Sequence, residues 1–515
     1  MSPRRKPVQE RFEVRLLWFL GVAVVLGALV LARLVQVQVV EAGPLREKAF
    51  NQQQREMGVP AARGSIRDRD EEPLATTLRA GRRGDRPAER IYPKGELASQ
   101  VLGFVARDGD GREGIELAFE SALHGRDGSR VVGANARGGL ATLPGGEVRP
   151  AVDGANVVLT LDSTAQSVLE RELESTVRRT NAQAATAILL DPRTGDVLAM
   201  GSYPDYDPAA PADSPASHRR LRALTDLWEP GSTFKIVAAA ACLEEGLATR
   251  HTLVESFERL ELAGGHTLRD RKDFGWISLE ETITHSVNTA TAQMARQLGQ
   301  RTMFEYARAF GFGCVTGIDL PGEVSGILRR PAYWSGRSLE TISIGQEVAV
   351  TPLQLACAYA AIANDGLLVK PRIVREIRTT EGKREREFRV RPVRRVVSEE
   401  TAHVLRDILV RVVEEGTGEK AAIPGLLVAG KTGTAQWFDH ESGGYDRDRH
   451  VSTFAGFAPA EDPRVVGVVF VDRPDGAGDG GLVAAPCFRR IVEGTMLARR
   501  APMIARTDGA HRGEG

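Results

Sequence analysis

The chain has 515 residues, 42% hydrophobic and 26% charged, which excludes a collagenous, wholly disordered or polytopic membrane protein and suggests about three domains. Its 68 Lys and Arg balance 68 Asp and Glu, so no positive excess is available to neutralise phosphates and no nucleic-acid partner is expected. Cys242, Cys314, Cys357 and Cys487 stand far apart with no CxxC. That excludes a zinc ribbon and a disulfide framework, and they read as buried small apolar residues.

Arg4, Arg5, Lys6, Arg11 and Arg15 precede a charge-free apolar run from Leu16 to Ala32. Leu34, Val35, Val37, Val39 and Val40 extend it past Arg33, whose side chain can snorkel to the headgroups. One membrane anchor is expected over residues 16–40, with residues 1–15 a cytoplasmic tail. The basic flank places everything after about residue 40 outside the cytoplasmic membrane. The rival is a cleaved signal peptide, for which Val30-Leu31-Ala32 is a passable cleavage site, but the run exceeds the usual signal core of about 7–15 residues.

Residues 41–150 are rich in Arg, Gly and charge, the stretch Arg79 to Arg86 above all, and read as a small, extended pedestal. Asn156 to Leu161 alternates like a strand, and Ala165 to Val177 has helical spacing. Ala184 to Met200 holds two apolar runs around Asp-Pro-Arg-Thr-Gly-Asp, a hairpin signal. Ser202 to Ser217 reads as a surface loop. Most segments after residue 230 read as helices until the strands Leu426–Ala429, Ser452–Phe457 and Val465–Asp472. A last helix, about Pro486 to Arg500, and a disordered tail, Ala501 to Gly515, follow. Strands from both ends of residues 180–500 are expected to share one antiparallel sheet with helices around it, an α+β domain over residues 151–500. No repeat is visible.

Chemistry concentrates at Glu229-Pro-Gly-Ser-Thr-Phe-Lys235, followed by a strong helix former ending at Gly246. Ser232 falls at the helix start, where backbone N–H groups and partial positive charge face whatever its Oγ attacks. Lys235 lies one turn on, facing the same side, and a desolvated neutral amine there can take the hydroxyl proton. The plain alternative is a serine N-cap beside a surface lysine. Two further pieces are Ser286-Val287-Asn288, before a helical run, and Lys431-Thr432-Gly433-Thr434, which reads as an edge strand. Each alone has a structural explanation in turn polarity or solvated charge.

The order S-x-x-K, S-x-N, K-T-G is the catalytic set of penicillin-binding proteins and class A β-lactamases. The chain resembles class B penicillin-binding proteins, most closely the division-specific FtsI type, almost end to end. The resemblance also rests on Arg63-Gly-Ser-Ile-Arg-Asp-Arg69, Arg90-Ile-Tyr-Pro93, Gly114-Ile-Glu116, Gly311-Phe-Gly313, Thr316 to Pro321, Gly345-Gln346 and Val350 to Gln354. It implies a penicillin-binding, serine β-lactamase-like transpeptidase domain and a membrane-anchored D,D-transpeptidase that crosslinks peptidoglycan stem peptides and is acylated by β-lactams. Ser232 is then the nucleophile and Lys235 the base. Ser286 and Lys431 relay protons, Asn288 holds the substrate amide, the Thr432 and Thr434 hydroxyls bind the terminal carboxylate, the Ser232 and Thr434 N–H groups form the oxyanion hole, and Gly433 between the threonines belongs to the same substrate-binding segment. No cofactor or metal is implied, and the nine histidines show no metal-ligand spacing. The implied partners are an FtsW-type glycan polymerase and other division proteins. Two departures stand out: only about 20 residues separate Arg69 from Arg90, which implies a reduced pedestal, and Val287 replaces a more often polar residue.

Rival readings are a phosphate loop, since Gly425 to Thr432 matches G-x-x-x-x-G-K-[ST]; a β-lactamase or D,D-carboxypeptidase on the same fold; and a noncatalytic penicillin sensor or division scaffold. Against the first, the apolar residues lie inside the supposed loop and no helical period follows.

Overall fold

The computed structural model describes residues 8–45, 48, 54–78, 89–134, 140–142, 147–439, 444–476 and 478–509. Residues 1–7, the Arg79–Arg86 stretch and residues 510–515 of the expected tail lie outside the described residues. Backbone contacts group the chain into two compact units, residues 1–61 with 126–152, and residues 62–125 with 153–515.

The smaller unit begins with helix α1, Val8–Val35, continued by a wider π-type turn over Gln36–Val40. From Phe12 to Val40 it is long and apolar enough to cross a membrane, and its apolar side chains are exposed along its length. The same unit holds a small antiparallel sheet in which Gly128–Ala134 pairs with Gln54–Val59, Leu140–Thr142 and Val148–Arg149.

In the larger unit, helix α2 (Ser163–Thr180) is capped by the Asp162 carboxylate, which accepts from the N–H groups of Thr164 and Ala165. It leads into the hairpin β1 (Ala184–Leu190) and β2 (Val197–Tyr203). Three more strands, β3 (Ala429–Asp439), β4 (Gly444–Ala458) and β5 (Val465–Asp472), complete an antiparallel sheet in the order β2-β1-β5-β4-β3. Every residue of β1 and β5 is buried, because helices cover both faces. One cover is α2 with the closing helix, Ala484–Gly509, and the other is the wholly buried helix Pro352–Ala363. The latter is built from Ala, Leu and Ile and started by a Thr351/Gln354 capping box.

The hairpin, the shared sheet and the α+β class agree with the sequence reading. The strand expected at Leu426–Ala429 is displaced. Pro424 and Gly425 form a turn closed by a bridge from Ile423 to Leu426, so the strand starts at Ala429 and runs through Lys431–Thr434 as the sheet edge. The phosphate-loop reading fails for the same reason, since the lysine and threonine enter a strand instead of opening a helix. The closing helix also continues past the expected end at Arg500.

A second sheet joins Asn156–Leu159 to Val374–Arg378 and, in parallel, to Ile66–Arg67, with Pro73–Leu78 and Glu89–Ile91 beyond. Beside it, three sequence motifs meet on one buried carboxylate. Arg63 Nε donates to Glu116 Oε2 at 2.7 Å, Arg90 Nε to Oε1 at 2.8 Å, and Arg63 Nη2 also reaches Glu120 at 2.6 Å. Glu116 is fully buried. Replacing it with glutamine leaves two guanidinium groups facing a neutral amide, and breaking such a buried pair costs about 3–5 kcal/mol. Chemical unfolding of the detergent-solubilised Glu116→Gln chain is expected to show a loss of that order, and a change below about 1 kcal/mol would show that water already shares the network.

Candidate active site

Pro230 and Gly231 end the preceding extended segment, and a single 3-10 turn over Gly231–Phe234 feeds helix Lys235–Glu244. The helix is buried from Lys235 to Cys242, so Ser232 stands half-buried on a rigid base, its carbonyl accepting the Lys235 N–H. The Lys235 amine has no exposure to solvent. Its Nζ donates to Ser286 O at 2.6 Å, Asn288 Oδ1 at 2.7 Å and Ser286 Oγ at 3.3 Å. Burial pushes its pKa down to about 7, against a smaller opposing pull from the Asp270 carboxylate.

Ser286 adopts a left-handed backbone conformation, φ +59°, that costs a non-glycine residue about 1 kcal/mol or more. In it, both its carbonyl and its hydroxyl lie within reach of Lys235 Nζ. Asn288 opens helix Asn288–Ala309. Asp270, from the neighbouring loop, caps that helix: Oδ1 accepts the Asn288 N–H at 2.7 Å, and Oδ2 accepts the Thr289 N–H at 2.8 Å and the Thr289 hydroxyl at 2.7 Å. Asn288 Nδ2 donates to Arg269 O at 3.0 Å, which orients the amide oxygen toward Lys235. The side chain of Val287 is buried in the core, so an apolar residue suits the middle of the motif.

Lys431 on edge strand β3 is also fully buried. Its Nζ donates to Thr432 O at 3.2 Å and to the hydroxyls of Thr417 and Thr432 at 3.4 Å each. Burial first, then the Lys235 charge, hold its pKa well below the ordinary lysine value, and Asp479 offsets part of this. The strand presses on the turn that carries Ser232. A Cβ on Gly433 would lie 2.6 Å from Pro230 O, and one on Gly345 would lie 2.1 Å from Gly231 O. Thr434 is exposed, and its Oγ1 accepts the Gly480 N–H at 3.1 Å.

Ser232, Ser286, Asn288, Thr432, Gly433 and Thr434 line one cavity of about 490 Å³, and the two buried lysine amines lie behind this lining, hydrogen-bonded to Ser286 and Asn288 and to Thr417 and Thr432. All eight residues singled out from the sequence are therefore gathered at one place. Thr417, Asp270 and Asp479 join the site without any signal in the sequence that marks them. Asp270 sits in the charge-dense Arg269-Asp-Arg-Lys-Asp273, which reads as solvated surface, and Asp479 beside two glycines reads as a turn.

Residues 185–493 match the family described as the penicillin binding protein transpeptidase domain, and residues 85–159 the penicillin-binding protein dimerisation domain. The probable peptidoglycan D,D-transpeptidase PenA of Neisseria meningitidis is 34% identical over 419 residues, covering 80% of this chain and 69% of PenA. Penicillin-binding protein PbpB of Mycobacterium tuberculosis is 35% identical over 428 residues, covering 80% of this chain and 62% of PbpB. The crystal structure of penicillin binding protein 3 from the same organism matches with a TM-score of 0.77 and 35% identity over 87% of this chain and 97% of that one. That protein has also been crystallised with aztreonam and with ampicillin. The chain belongs to the penicillin-binding proteins, in the class B arrangement of a dimerisation domain ahead of a transpeptidase domain.

Since a methyl group at position 433 has nowhere to go except into the backbone of Pro230, Gly433→Ala is expected to part the strand from the serine turn. Such overpacking costs about 1–3 kcal/mol. Thermal unfolding and a crystal structure of the variant check this, the expected result being a lowered midpoint with Thr432–Thr434 displaced away from Pro230.

Proposed function

We propose that the protein is a serine D,D-transpeptidase that crosslinks peptidoglycan stem peptides outside the cytoplasmic membrane, anchored by residues 16–40, in septal wall synthesis. Residues 1–15 form the cytoplasmic tail, residues 41–150 the reduced pedestal and residues 151–500 the catalytic domain. The observation that carries the reading is the fully buried Lys235 amine, one turn after Ser232 on the same helix start, hydrogen-bonded to Ser286 and Asn288 and depressed to about 7.

Ser232 Oγ gives its proton to neutral Lys235 and bonds to the carbonyl carbon of a terminal D-Ala-D-Ala. The C–N bond then breaks, and Ser286 with Lys431 relays a proton to the departing D-Ala. The amine of a second stem peptide next bonds to the acyl carbon, and Ser232 recovers its proton as the ester C–O bond breaks. Asn288 holds the donor amide, Thr432 and Thr434 the terminal carboxylate, and the Ser232 and Thr434 N–H groups the oxyanion, at about 3 kcal/mol per donor. β-Lactams enter by the same acylation. The FtsW-type polymerase and other division proteins would meet the anchor and pedestal.

One further observation favours transfer to an amine over hydrolysis. The cavity-lining carboxylates among the described residues are Asp270 and Asp479. Both oxygens of Asp270 are taken up in capping, and those of Asp479 accept from the Gly481 N–H and from Arg271. Asp270 is thereby committed to its helix, and Asp479 is held from water while its pair with Arg271 is closed.

Incubation of the protein with a fluorescent penicillin, followed by intact mass, is expected to give a covalent label that lasts for hours and is absent from Ser232→Ala. Rapid loss of the label would point to a β-lactamase, and no label on folded protein would remove Ser232 as nucleophile. The labelling rate is expected to rise with pH through about 7 and level off above it, because only the neutral amine accepts the serine proton. Asp270 favours the charged amine, so Asp270→Asn is expected to move this inflection to lower pH, measured as the labelling rate across pH 5–9.

A further inference from the structure

The two walls of the cleft are joined by one ion pair that the proposed chemistry does not use. Arg271 Nη2 donates to Asp479 Oδ2 at 3.2 Å, and both residues line the cavity. Arg271 belongs to the wall that carries the S-x-N motif. Its neighbours Asp270 and Arg269 hold the backbone N–H and the side-chain amide of Asn288. Asp479 belongs to the wall that carries K-T-G, since the adjoining Gly480 N–H donates to Thr434 Oγ1. The pair therefore crosses the space between the motifs on either side of Ser232.

The two ends are held differently. Asp479 is anchored, its Oδ1 accepting the Gly481 N–H at 2.8 Å and its carbonyl accepting the N–H groups of Leu482 and Val483. Arg271 is free to move, its side chain 90% exposed, and among the described residues Asp479 is its only side-chain partner. An exposed pair of this kind is weakly held, so another anion displaces it readily. A guanidinium has no acceptor and stays charged at every working pH, so the incoming group has to be an acceptor, and a carboxylate matches its fork.

We propose that Arg271 is a specificity-determining residue that selects ligands carrying a second anionic group, outside the reacting amide and its terminal carboxylate, with Asp479 as its resting partner. This rests on the reading of the cleft as the acylation site. A ligand carboxylate at the cleft mouth takes Asp479's place on Arg271, and a neutral side chain leaves the pair closed across its path.

The test is the ratio of acylation rates for two penicillins that share a nucleus, carbenicillin with a side-chain carboxylate and benzylpenicillin without one, read by intact mass on the full chain in detergent. Arg271→Ala is expected to lower the carbenicillin-to-benzylpenicillin ratio about fivefold, Arg271→Lys less, and Asp479→Asn to raise it. Raising salt from 0.05 to 0.5 M is expected to shrink the wild-type difference and leave that of Arg271→Ala unchanged. Acylation of Ser232 by both compounds with the same ratio in wild type and Arg271→Ala overturns this inference alone. No acylation of the wild type by either compound overturns the assignment of the site itself.

Discussion

Moving an ammonium group from water into a protein interior costs several kcal/mol even after relaxation, and two lysines, Lys235 and Lys431, are buried completely beside one cleft. The surrounding architecture answers that cost. Lys235 projects from the first turn of a buried helix and finds three oxygen acceptors on the Ser286–Asn288 segment. Lys431 lies on edge strand β3, where its amine finds the Thr432 carbonyl and the Thr417 and Thr432 hydroxyls. Each amine lowers its charge through burial, and the charge on Lys235 further depresses Lys431. What results is a pair of weakly basic amines within reach of hydroxyl groups, which is what proton transfer near neutral pH requires.

Holding these amines in place needs close backbone contact. The approaches of Gly433 on the strand to Pro230, and of Gly345 after helix Ser338–Ser343 to Gly231, leave no room for a side chain, so the serine turn is clamped from two sides. Asp270 supplies the third restraint. By capping the Asn288 helix from a separate loop, it fixes the position of the asparagine and places a negative charge near Lys235. A cap and an electrostatic partner in the same carboxylate tie the geometry of the site to its protonation.

Much of this was legible in the residues. The hairpin around Asp191–Asp196 announces itself because turn formers interrupt two apolar runs, and the K-T-G segment reads as an edge strand because charge and small polar residues follow an apolar stretch. The start of that strand was misplaced, since apolarity alone does not separate a strand from the turn entering it, and Pro424-Gly425 decides the matter. Asp270, Thr417 and Asp479 were invisible for another reason. Their partners lie 14 to 208 residues away or sit on backbone atoms, and no local periodicity encodes such pairings. The same holds for Glu116. The three segments containing Arg63, Arg90 and Glu116 were noticed separately, but only folding shows that they share one carboxylate.

Under the proposed mechanism, the fate of an acyl-enzyme on Ser232 turns on which bases the cleft offers to water. Water is a poor nucleophile at neutral pH and attacks an ester quickly only when a base takes its proton, whereas a neutral amine is a stronger nucleophile and attacks before it gives one up. Here the carboxylates that line the cavity are already engaged, Asp270 by a helix terminus and Asp479 by Gly481 and Arg271. Freeing Asp270 would uncap the helix that positions Asn288, so its oxygens are released only at a cost to that helix. Asp479 is released more easily, but it lies against the Lys431 side of the cleft, where its charge raises the proton affinity of that amine. With the carboxylates committed to holding walls and tuning lysines, proton transfer beside such an ester falls to the two weakly basic amines, a set that suits a nucleophile able to attack before it gives up a proton.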